Sequence, residues 1–306
     1  PQTGNVYAMT SAGLLVAFTF HGEALWEISL MESYGRLTFP NGRTGAPVVV
    51  GDRIIARGIT AGWGAQAPGR DRFLAFDKGT GDLLWASAPG TRPIDSSFST
   101  PVVAQWGDRT ALVAGTGCGH VVAMDAADGA MLWRKPISRG GVNASPLVDE
   151  DSVSVPHGKE RITSSRVGGF VSFPLPDPTT TAAGTTLPPP TDAEQGPYGS
   201  FTSSPTYSPL TYLQVVPTGV IHSFTIRDGA ERDEGSELGR MGSLWWAKLG
   251  NENLHASPLG GRSTEHAYAP LLDGKIHVIG LDTINSDWGT SAIPYDLGAP
   301  LLGAPS

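Results

Sequence analysis

The sequence predicts an all-β protein, a propeller of four-stranded antiparallel blades, and two recurring patterns predict it. In one pattern a turn is followed four residues later by tryptophan, and in the other two small residues precede a proline. Successive prolines of the second pattern lie between 42 and 59 residues apart. Short β-branched or alternating runs fill each interval, without helical periodicity. A repeat of roughly 40–55 residues made of such runs is typical of a propeller blade.

The small-residue pattern occurs six times along the chain. The first strand of a blade lies nearest the axis of a propeller, where blades crowd together, so its side chains must be small for neighbouring backbones to approach. Proline is tolerated at the first residue of a strand. We therefore predict that each copy opens a blade. The copies are Gly45-Ala46-Pro47, Ser99-Thr100-Pro101, Ala144-Ser145-Pro146, Ser203-Ser204-Pro205, Ala256-Ser257-Pro258 and Gly298-Ala299-Pro300.

The tryptophan pattern occurs four times, and a degenerate copy follows near the end of the chain. Glycine at the turn supplies a positive φ angle. A tryptophan on the outer strand would bury a large apolar area between adjacent sheets. We predict that these residues dock one blade on the next and contact no ligand. They are Trp26, Trp85, Trp133, Trp246 and Trp288.

Each end of the chain matches part of a blade. The start, through Trp26, corresponds to a blade without its first strand, and Gly298-Ala299-Pro300 corresponds to a first strand alone. Joining the two would remove the exposed sheet edges of an open ring. We therefore expect a single domain over residues 1–306, with six blades of about 51 residues and one blade shared by both termini. The alternative is a fragment of a longer propeller.

Composition and charge exclude several classes of protein. The net charge of −8 and the isoelectric point near 5.3 argue against nucleic-acid binding, which needs a basic surface. No apolar run reaches the roughly 18 residues of a membrane-spanning helix, so we predict no transmembrane segment. The one cysteine, Cys118, excludes a disulfide within the chain, and we predict that it is a small buried strand residue.

Two segments interrupt the repeat. Residues 174–199 are rich in proline and threonine, lack the turn-tryptophan pattern, and predict a long insertion loop. This loop is either a solvated linker or an arm that docks a partner. Residues 227–240 are charged and predict a solvated hairpin extension.

The turn-tryptophan runs resemble a known repeat. Residues 75–85, Ala-Phe-Asp-Lys-Gly-Thr-Gly-Asp-Leu-Leu-Trp, resemble the A-x-D-x-x-T-G-x-x-x-W tryptophan-docking motif of quinoprotein-type propellers, and residues 123–133 match it nearly as well. On these residues the chain resembles the PQQ-binding-like β-propeller repeat family, which includes BamB-like outer-membrane assembly proteins. Residues 1–173 also resemble secreted PQQ-like repeat proteins of planctomycetes and related bacteria. The residues that match are Gly4-Asn5-Val6-Tyr7-Ala8, Asn41-Gly42-Arg43-Thr44, Gly62-Trp63-Gly64 and Ser99-Thr100-Pro101-Val102-Val103.

The resemblance implies a location outside the cytoplasm, periplasmic or extracellular, and a fold that hosts both scaffolds and enzymes. Members that oxidise alcohols or sugars hold a quinone and Ca²⁺ in the central funnel, and Ca²⁺ needs several carboxylate oxygens. The dense acidic runs here are Asp149-Glu150-Asp151, which predicts a hairpin turn, and the 227–240 insertion. The histidines form no metal-site pattern. We therefore predict no cofactor and no metal, PQQ and Ca²⁺ being implied only for a dehydrogenase.

The residues just before each small-residue pair should form the rim of the central channel. They make a polar, mixed set without an acidic cluster. Such a set would suit a small anion or a peptide loop, or form only a solvated channel mouth. The set comprises Arg43, Thr44, Ser97, Asn143, Thr202 and His255.

Two further segments are candidates for contact with a partner. The loop over residues 58–70 presents Trp63 and Gln66 among glycines, which suits a protein, a sugar or a structural plug between blades. The polar run that begins at His157 is loop-like, and contact of His157 with a partner is one interpretation of it.

These observations favour a non-catalytic scaffold outside the cytoplasm that binds other proteins, as an accessory subunit of a membrane or cell-surface assembly. One alternative is a dehydrogenase that depends on PQQ and Ca²⁺. The other is a carbohydrate-binding propeller that uses Trp63.

Overall fold

The computed structural model describes residues 4–10, 12–35, 45–60, 68–95, 97–149, 152–191 and 194–196. Beyond them it describes the backbone of the strands within residues 206–296. The regular secondary structure of the described part is β-strand except for one helix of five residues, which confirms the all-β prediction. No helix in that part is long and apolar enough to cross a membrane.

In chain order the elements are β1 (Val6–Met9), β2 (Leu14–Phe18), β3 (Ala24–Ser29), α1 (Leu30–Tyr34), β4 (Val48–Val50), β5 (Arg53–Thr60), β6 (Arg70–Asp77), β7 (Leu83–Ser87), β8 (Val102–Trp106), β9 (Arg109–Gly115), β10 (His120–Asp125), β11 (Met131–Pro136), β12 (Leu147–Val148), β13 (Ser152–Glu160), β14 (Val167–Pro174), β15 (Thr185–Thr186), β16 (Gln195–Gly196), β17 (Thr206–Ser208), β18 (Thr211–Val216), β19 (Val220–Ile226), β20 (Met241–Lys248), β21 (His266–Pro270), β22 (Lys275–Gly280) and β23 (Ile293–Asp296).

The described strands form six sheets. Their strand orders are β1-β2-β3, β4-β5-β6-β7, β8-β9-β10-β11-β15, β12-β13-β14-β16, β17-β18-β19-β20 and β21-β22-β23. Neighbouring strands are antiparallel except β11 and β15, which are parallel. Four of the sheets contain four antiparallel strands, as predicted for a blade, and the first and last contain three among the described residues.

The chain divides into two compact units. The first comprises Pro1–Asn143 and Pro176–Pro188, and the second comprises Ala144–Leu175 and Pro189–Ser306. The first unit is therefore discontinuous in sequence. The number of blades, the blade shared by the termini and the single domain over residues 1–306 stay predictions.

In the first unit, the sheet β4-β5-β6-β7 has apolar side chains on both faces. On one face Ile54 packs in a cluster with Leu15 of β2, and on the other Ile55 and Phe73 pack in a cluster with Leu112 of β9. Because successive side chains of a strand point to opposite faces, neighbouring apolar residues serve two different cores. The continuous apolar runs of β5 and β6 follow from this arrangement.

The first three tryptophans of the repeat each follow a β-bulge. In the pairing of β6 with β7, Ala75 lies opposite Trp85, and the register then shifts so that Leu84 has no partner residue. The pairings of β2 with β3 and of β10 with β11 shift at the equivalent place, which makes Leu25 and Leu132 the bulged residues. The bulge sits beside the outer edge of each sheet, where such irregularities are common.

The fourth copy of the tryptophan pattern differs from the prediction. In the pairing of β19 with β20, Ser223 lies opposite Trp245, and the register shifts immediately afterwards, which places Leu244 in the bulge. Trp245, rather than the predicted Trp246, thus holds the repeat position. Gly242 already lies inside β20, so counting four residues from the glycine overshoots by one.

Two tryptophans of the first unit pack on the turn of the following sheet. The indole Nε1 of Trp26 donates to the carbonyl of Lys78 at 3.1 Å, and that of Trp85 donates to the carbonyl of Ala126 at 3.2 Å. Each indole ring covers a glycine with positive φ, Gly81 (79°) under Trp26 and the equivalent glycine (75°) under Trp85. The repeat thus joins consecutive sheets by one apolar contact and one hydrogen bond.

An aspartate shapes each of these turns. The side chain of Asp77 accepts a hydrogen bond from the backbone N–H of Gly79 at 2.8 Å, and its carbonyl accepts one from Gly81 at 2.9 Å. Asp125 accepts the two equivalent hydrogen bonds in the next sheet. Hydrogen bonds from the backbone N–H groups of Thr80 and Gly79 lower the pKa of Asp77. The ionised carboxylate therefore stabilises the turn.

The small residues allow close approach of neighbouring backbones, as predicted, at the first two copies of the pattern. A Cβ atom at Gly45 would lie 2.7 Å from the carbonyl oxygen of Ser99 and 2.8 Å from Cα of Thr100. The backbone N–H of Ala46 donates to the Thr100 hydroxyl at 3.0 Å. Any larger residue than glycine would force these two chain segments apart.

The 174–199 segment is more regular than the predicted insertion loop. It contains β15, which extends the β8–β11 sheet, and β16, which extends the β12–β14 sheet. It also contains a turn of the repeat, because Asp177 accepts from the backbone N–H groups of Thr179 and Thr181 as Asp77 does at its own turn. The turn lacks glycine and tryptophan, so the sequence pattern does not reveal it. The 227–240 insertion lies outside the described residues.

We expect Gly129→Ala to lower the free energy of unfolding by about 2–4 kcal/mol. Gly129 has a φ of 75°, and a Cβ atom there would lie 2.6 Å from Cε3 of Trp85. The control is Gly51→Ala, because Gly51 has a φ of 58° and nothing within 4 Å of its Cβ position. That control should cost only the backbone strain, about 1–2 kcal/mol. Chemical denaturation measures both, and equal losses would contradict the role of the indole contact.

Candidate functional site

The structure describes only part of the predicted site. Ser97, Asn143 and His157 lie among the described residues, and of Trp246 only the backbone does. The predicted residues outside the described part are Arg43, Thr44, Trp63, Gln66, Thr202, His255 and Trp288. For these residues the predicted roles stay predictions.

Ser97 is buried and engaged with the backbone. Its hydroxyl donates to the carbonyl of Val142 and lies 3.3 Å from the carbonyl of Gly115. Nearby, the hydroxyl of Ser99 accepts a hydrogen bond from the backbone N–H of Gly115 at 2.8 Å. The two serines therefore fasten chain segments to one another within the first unit, and Ser97 is not exposed at a channel mouth as predicted.

Asn143 is the predicted channel residue whose environment suits a ligand. Its side chain is 3% exposed, and neither its amide nitrogen nor its amide oxygen has a hydrogen-bond partner among the described residues. A buried polar group without a partner costs free energy, and such groups are few in folded proteins. The carboxamide could donate and accept one hydrogen bond each to a small polar molecule or a peptide group.

A buried ion pair that the sequence analysis missed lies on β5 and β6. The guanidinium of Arg57 donates from Nε and Nη2 to the two carboxylate oxygens of Asp71, at 2.9 and 2.6 Å. Its Nη1 donates to the carbonyl of Ser99 at 2.8 Å, and Asp71 also accepts from the backbone N–H of Gly117 at 2.8 Å. The guanidinium lies 4.8 Å from the ring centre of Phe73.

This ion pair is structural. Both charged side chains are fully buried and hydrogen-bonded, so neither is available to a substrate. Each also bonds to the backbone of the β8–β9 region, which ties two consecutive sheets together. The sequence did offer a signal, because Arg57 lies in the middle of the largely apolar strand Arg53–Thr60, where a charged side chain needs a buried partner.

His157 lies in β13 and is completely buried, so the prediction of an exposed loop residue is wrong. Its Nδ1 donates to the carbonyl of Lys159 at 3.0 Å. A Cβ atom at Gly169 would lie 3.0 Å from His157 Nε2 and 3.2 Å from Arg161 Nε, so both side chains lie over that glycine. Burial lowers the pKa of His157 from 6.5 to about 4, and the charge of Arg161 acts in the same direction, against the hydrogen bond to Lys159.

Cys118 is buried as predicted, although it lies in the turn between β9 and β10 rather than in a strand. Burial raises the pKa of its thiol. Hydrogen bonds from His120 and Thr116, with the charge of His120, outweigh burial and lower that pKa to about 7. The Thr116 hydroxyl oxygen lies 3.1 Å from the sulfur. The thiol is polarised, yet burial separates it from solvent.

The strands on either side of the first acidic run pair as a hairpin, as predicted. The backbone N–H of Asp149 donates to the carbonyl of Ser152 at 2.9 Å, and Val148 lies opposite Val153. Glu150 and Asp151 lie outside the described residues. Within the described part of the chain, no group of three or more His, Cys, Asp or Glu side chains is placed to hold a metal ion.

We expect Asp71→Asn to lower the free energy of unfolding by about 3–5 kcal/mol, because it leaves the buried guanidinium without its counter-charge. Asp52→Asn is the control, since Asp52 pairs with Lys78 on the surface and is 83% exposed. The control should cost less than about 1 kcal/mol. Urea denaturation measures both variants. Similar small losses would mean that the buried pair does not hold the sheets together.

We expect His157 to make the protein less stable as the pH falls from about 6.5 to about 4. The unfolded chain takes up a proton at this histidine below its ordinary pKa, whereas the folded chain does so only near pH 4. The loss over that range should be on the order of 3 kcal/mol. In His157→Gln this part of the pH dependence should disappear. The exposed His21→Gln is the control, and an unchanged pH profile in His157→Gln would contradict the prediction.

Comparison with known proteins agrees with this architecture. Residues 69–166 match the family model PQQ_2, described as outer membrane protein assembly factor BamB. The matched segment contains the two turns, at Asp77 and Asp125, that have the same hydrogen bonds. A comparison with curated proteins finds no match.

The fold is similar to several solved structures. BamB from Moraxella catarrhalis superposes with a TM-score of 0.60 and 15% identity, over 98% of this chain and 73% of that chain. A europium-containing methanol dehydrogenase superposes with a TM-score of 0.55 and 12% identity, over 98% of this chain and 68% of that chain. A quinohemoprotein alcohol dehydrogenase from Pseudomonas putida HK5 superposes with a TM-score of 0.52 and 14% identity, over 98% of this chain and 58% of that chain. At such identities the likeness concerns the fold alone. The chain therefore has a β-propeller fold, and its residues 69–166 match a PQQ-like repeat.

Proposed function

We propose that the protein is a non-catalytic scaffold outside the cytoplasm that binds other proteins, as an accessory subunit of a membrane or cell-surface assembly. The main support is the match of residues 69–166 to a family described as an outer membrane protein assembly factor. The likeness to BamB over nearly the whole chain agrees with it. The periplasmic or extracellular location rests on the same likeness.

The use of polar groups in the first unit supports this proposal. Arg57, Asp71 and Ser97 are buried and bonded to the backbone of neighbouring segments. Side chains used in this way make a rigid body and do not take part in a reaction. A rigid propeller with exposed strand edges and loops is suited to binding proteins, because little order is lost on association.

The second candidate is a quinone-dependent dehydrogenase, and Asn143 is the observation that favours it. Two solved structures of similar fold are dehydrogenases, so binding of a quinone is the property that would distinguish this candidate. An unpartnered buried carboxamide could supply one ligand atom to Ca²⁺ or one hydrogen bond to a quinone. The buried carboxylate of Asp71 is already bonded to Arg57 and Gly117. Among the described residues the donor set is therefore too poor in free carboxylates for Ca²⁺ and does not fit the group.

Protein purified from its native source separates the two candidates. We expect no quinone absorbance, an intact chain mass without added cofactor, and co-purifying polypeptides. The polypeptides should stay bound in an Asn143→Ala variant. A quinone absorbance with matching added mass, lost in Asn143→Ala, would overturn the scaffold proposal and make the protein a dehydrogenase.

A further inference from the structure

The bulged leucines differ in exposure although they occupy the same position of the repeat. Leu25 in β3 is 46% exposed and Leu84 in β7 is 47% exposed, whereas Leu132 in β11 is fully buried. All three precede a tryptophan on the last strand of the antiparallel meander. The difference therefore arises from what covers the strand, not from the strand itself.

A segment of the same chain covers β11. The backbone N–H of Gly184 donates to the carbonyl of Leu132 at 2.9 Å, and that of Leu187 donates to the carbonyl of Arg134 at 2.8 Å. Between them β15 pairs in parallel, with Thr185 opposite Trp133. The covering segment is thus an extended run, Gly-Thr-Thr-Leu-Pro, over residues 184–188.

Two side chains of β11 strengthen this docking. Nε of Arg134 donates to the hydroxyl of Thr186 at 2.9 Å, and the ammonium group of Lys135 donates to the carbonyl of Pro188 at 3.0 Å. The proline after the strand has no N–H and so ends the pairing. The recognition therefore uses two backbone carbonyls of the edge strand and a short run with a hydroxyl and a terminal proline.

The edge of β7 has the same backbone geometry, and no strand among the described residues covers it. Its sheet ends at β7, and its bulge lies at the same place relative to tryptophan as the bulge of β11. The carbonyls of Leu84 and Ala86 correspond to those of Leu132 and Arg134. Leu83, at 42% exposure, and Leu84 add an apolar surface beside them. An uncovered edge of this kind is a template for another strand.

We propose that the outer edge of β7 docks an extended segment of a partner protein as a parallel strand, in the manner of residues 184–188 on β11. The occupant is an extended run of the partner that offers two backbone N–H donors, placed as those of Gly184 and Leu187 are, and apolar side chains to Leu83 and Leu84. Threonine and proline are not specified, because β7 has Ala86 and Ser87 where β11 has Arg134 and Lys135. This inference rests on the proposed scaffold function and names the surface that performs it. A second copy of the chain is a poorer occupant, because its own residues 184–188 are bonded to its β11.

The corresponding edge of β3 is less suitable. Glu27 stands at the position held by Ala86 in β7 and by Arg134 in β11, and Ala24 stands in place of Leu83. The carboxylate of Glu27 would lie beside the carbonyls of an incoming strand, and less apolar surface is offered. The assignment is therefore to β7.

The probe for this proposal is a fluorescent peptide with the sequence of residues 182–190, Ala-Ala-Gly-Thr-Thr-Leu-Pro-Pro-Pro, added to the full chain. We expect saturable binding that weakens roughly tenfold in Leu84→Lys, because the variant removes apolar contact. The same peptide methylated at the backbone nitrogens of its Gly184 and Leu187 positions lacks the two donors and should not bind. Ile94→Lys, at another exposed apolar residue, should bind as the unaltered protein does.

A cross-link reports the orientation independently of affinity. By analogy with Arg134 opposite Thr186, Ala86→Cys should form a disulfide with a peptide that has cysteine at its Thr186 position. Peptides with cysteine at either terminus should react much more slowly. Leu84→Lys should slow the cross-link, and circular dichroism checks that each variant is folded.

Several results would overturn the assignment. Binding that is lost in Leu25→Lys but kept in Leu84→Lys would place the peptide on β3. If the protein forms a dimer that is lost in Leu84→Lys and is not displaced by the peptide, a second copy of the chain is the occupant. If the peptide fails to bind but polypeptides co-purify from the native source, the β7 proposal fails and the scaffold proposal stands. Deletion of residues 176–199 would not test the β7 proposal, because it would remove the strand that pairs with β11.

Discussion

The contact between an indole ring and the glycine of the following turn is the constraint on which the first unit depends. Trp26 lies on Gly81, and Trp85 lies on Gly129. The glycines must have a positive φ and must lack a side chain, so the same atom that would strain the backbone would also displace the ring. The distance between consecutive sheets is set by this contact, and the two apolar cores on either side of β5 and β6 fill the space that it defines.

A second set of contacts joins β5 and β6 to the segments that precede β8 and follow β9. There the chain segments are held by polar contacts rather than by apolar area, through Arg57 to the carbonyl of Ser99 and Asp71 to the N–H of Gly117. Such contacts are directional, so they fix the relative alignment of two sheets that apolar packing alone would leave free to slide. Charged and hydroxyl residues at these positions therefore serve architecture, and their polarity is no sign of a catalytic centre.

Periodic features of the fold were predictable from the sequence, and features that depend on register or on distant segments were not. The tryptophans and small residues recur at a regular interval, so their positions on the sheets follow. Trp245 was missed because the bulge, not the distance from glycine, decides which residue of β20 holds the repeat position. His157 was missed because a polar run with glycine predicts a loop, although β14 pairs with it. The strand Thr185–Thr186 has no local signal, since the edge of β11 imposes its extended form.

The discontinuity of the first unit has a consequence for synthesis of the chain. Residues 1–143 contain all strands of that unit except β15, which belongs to the segment Pro176–Pro188. As the polypeptide emerges N-terminus first, at the ribosome or at a translocation channel, the edge of β11 stays bare until residues 144–186 have followed. Leu132 and its neighbouring carbonyls are open to other chains for that time, a period of some seconds at about 5–20 residues per second. β15 therefore covers the edge of β11 only after a delay, and the length of that delay sets how long the edge is open to aggregation.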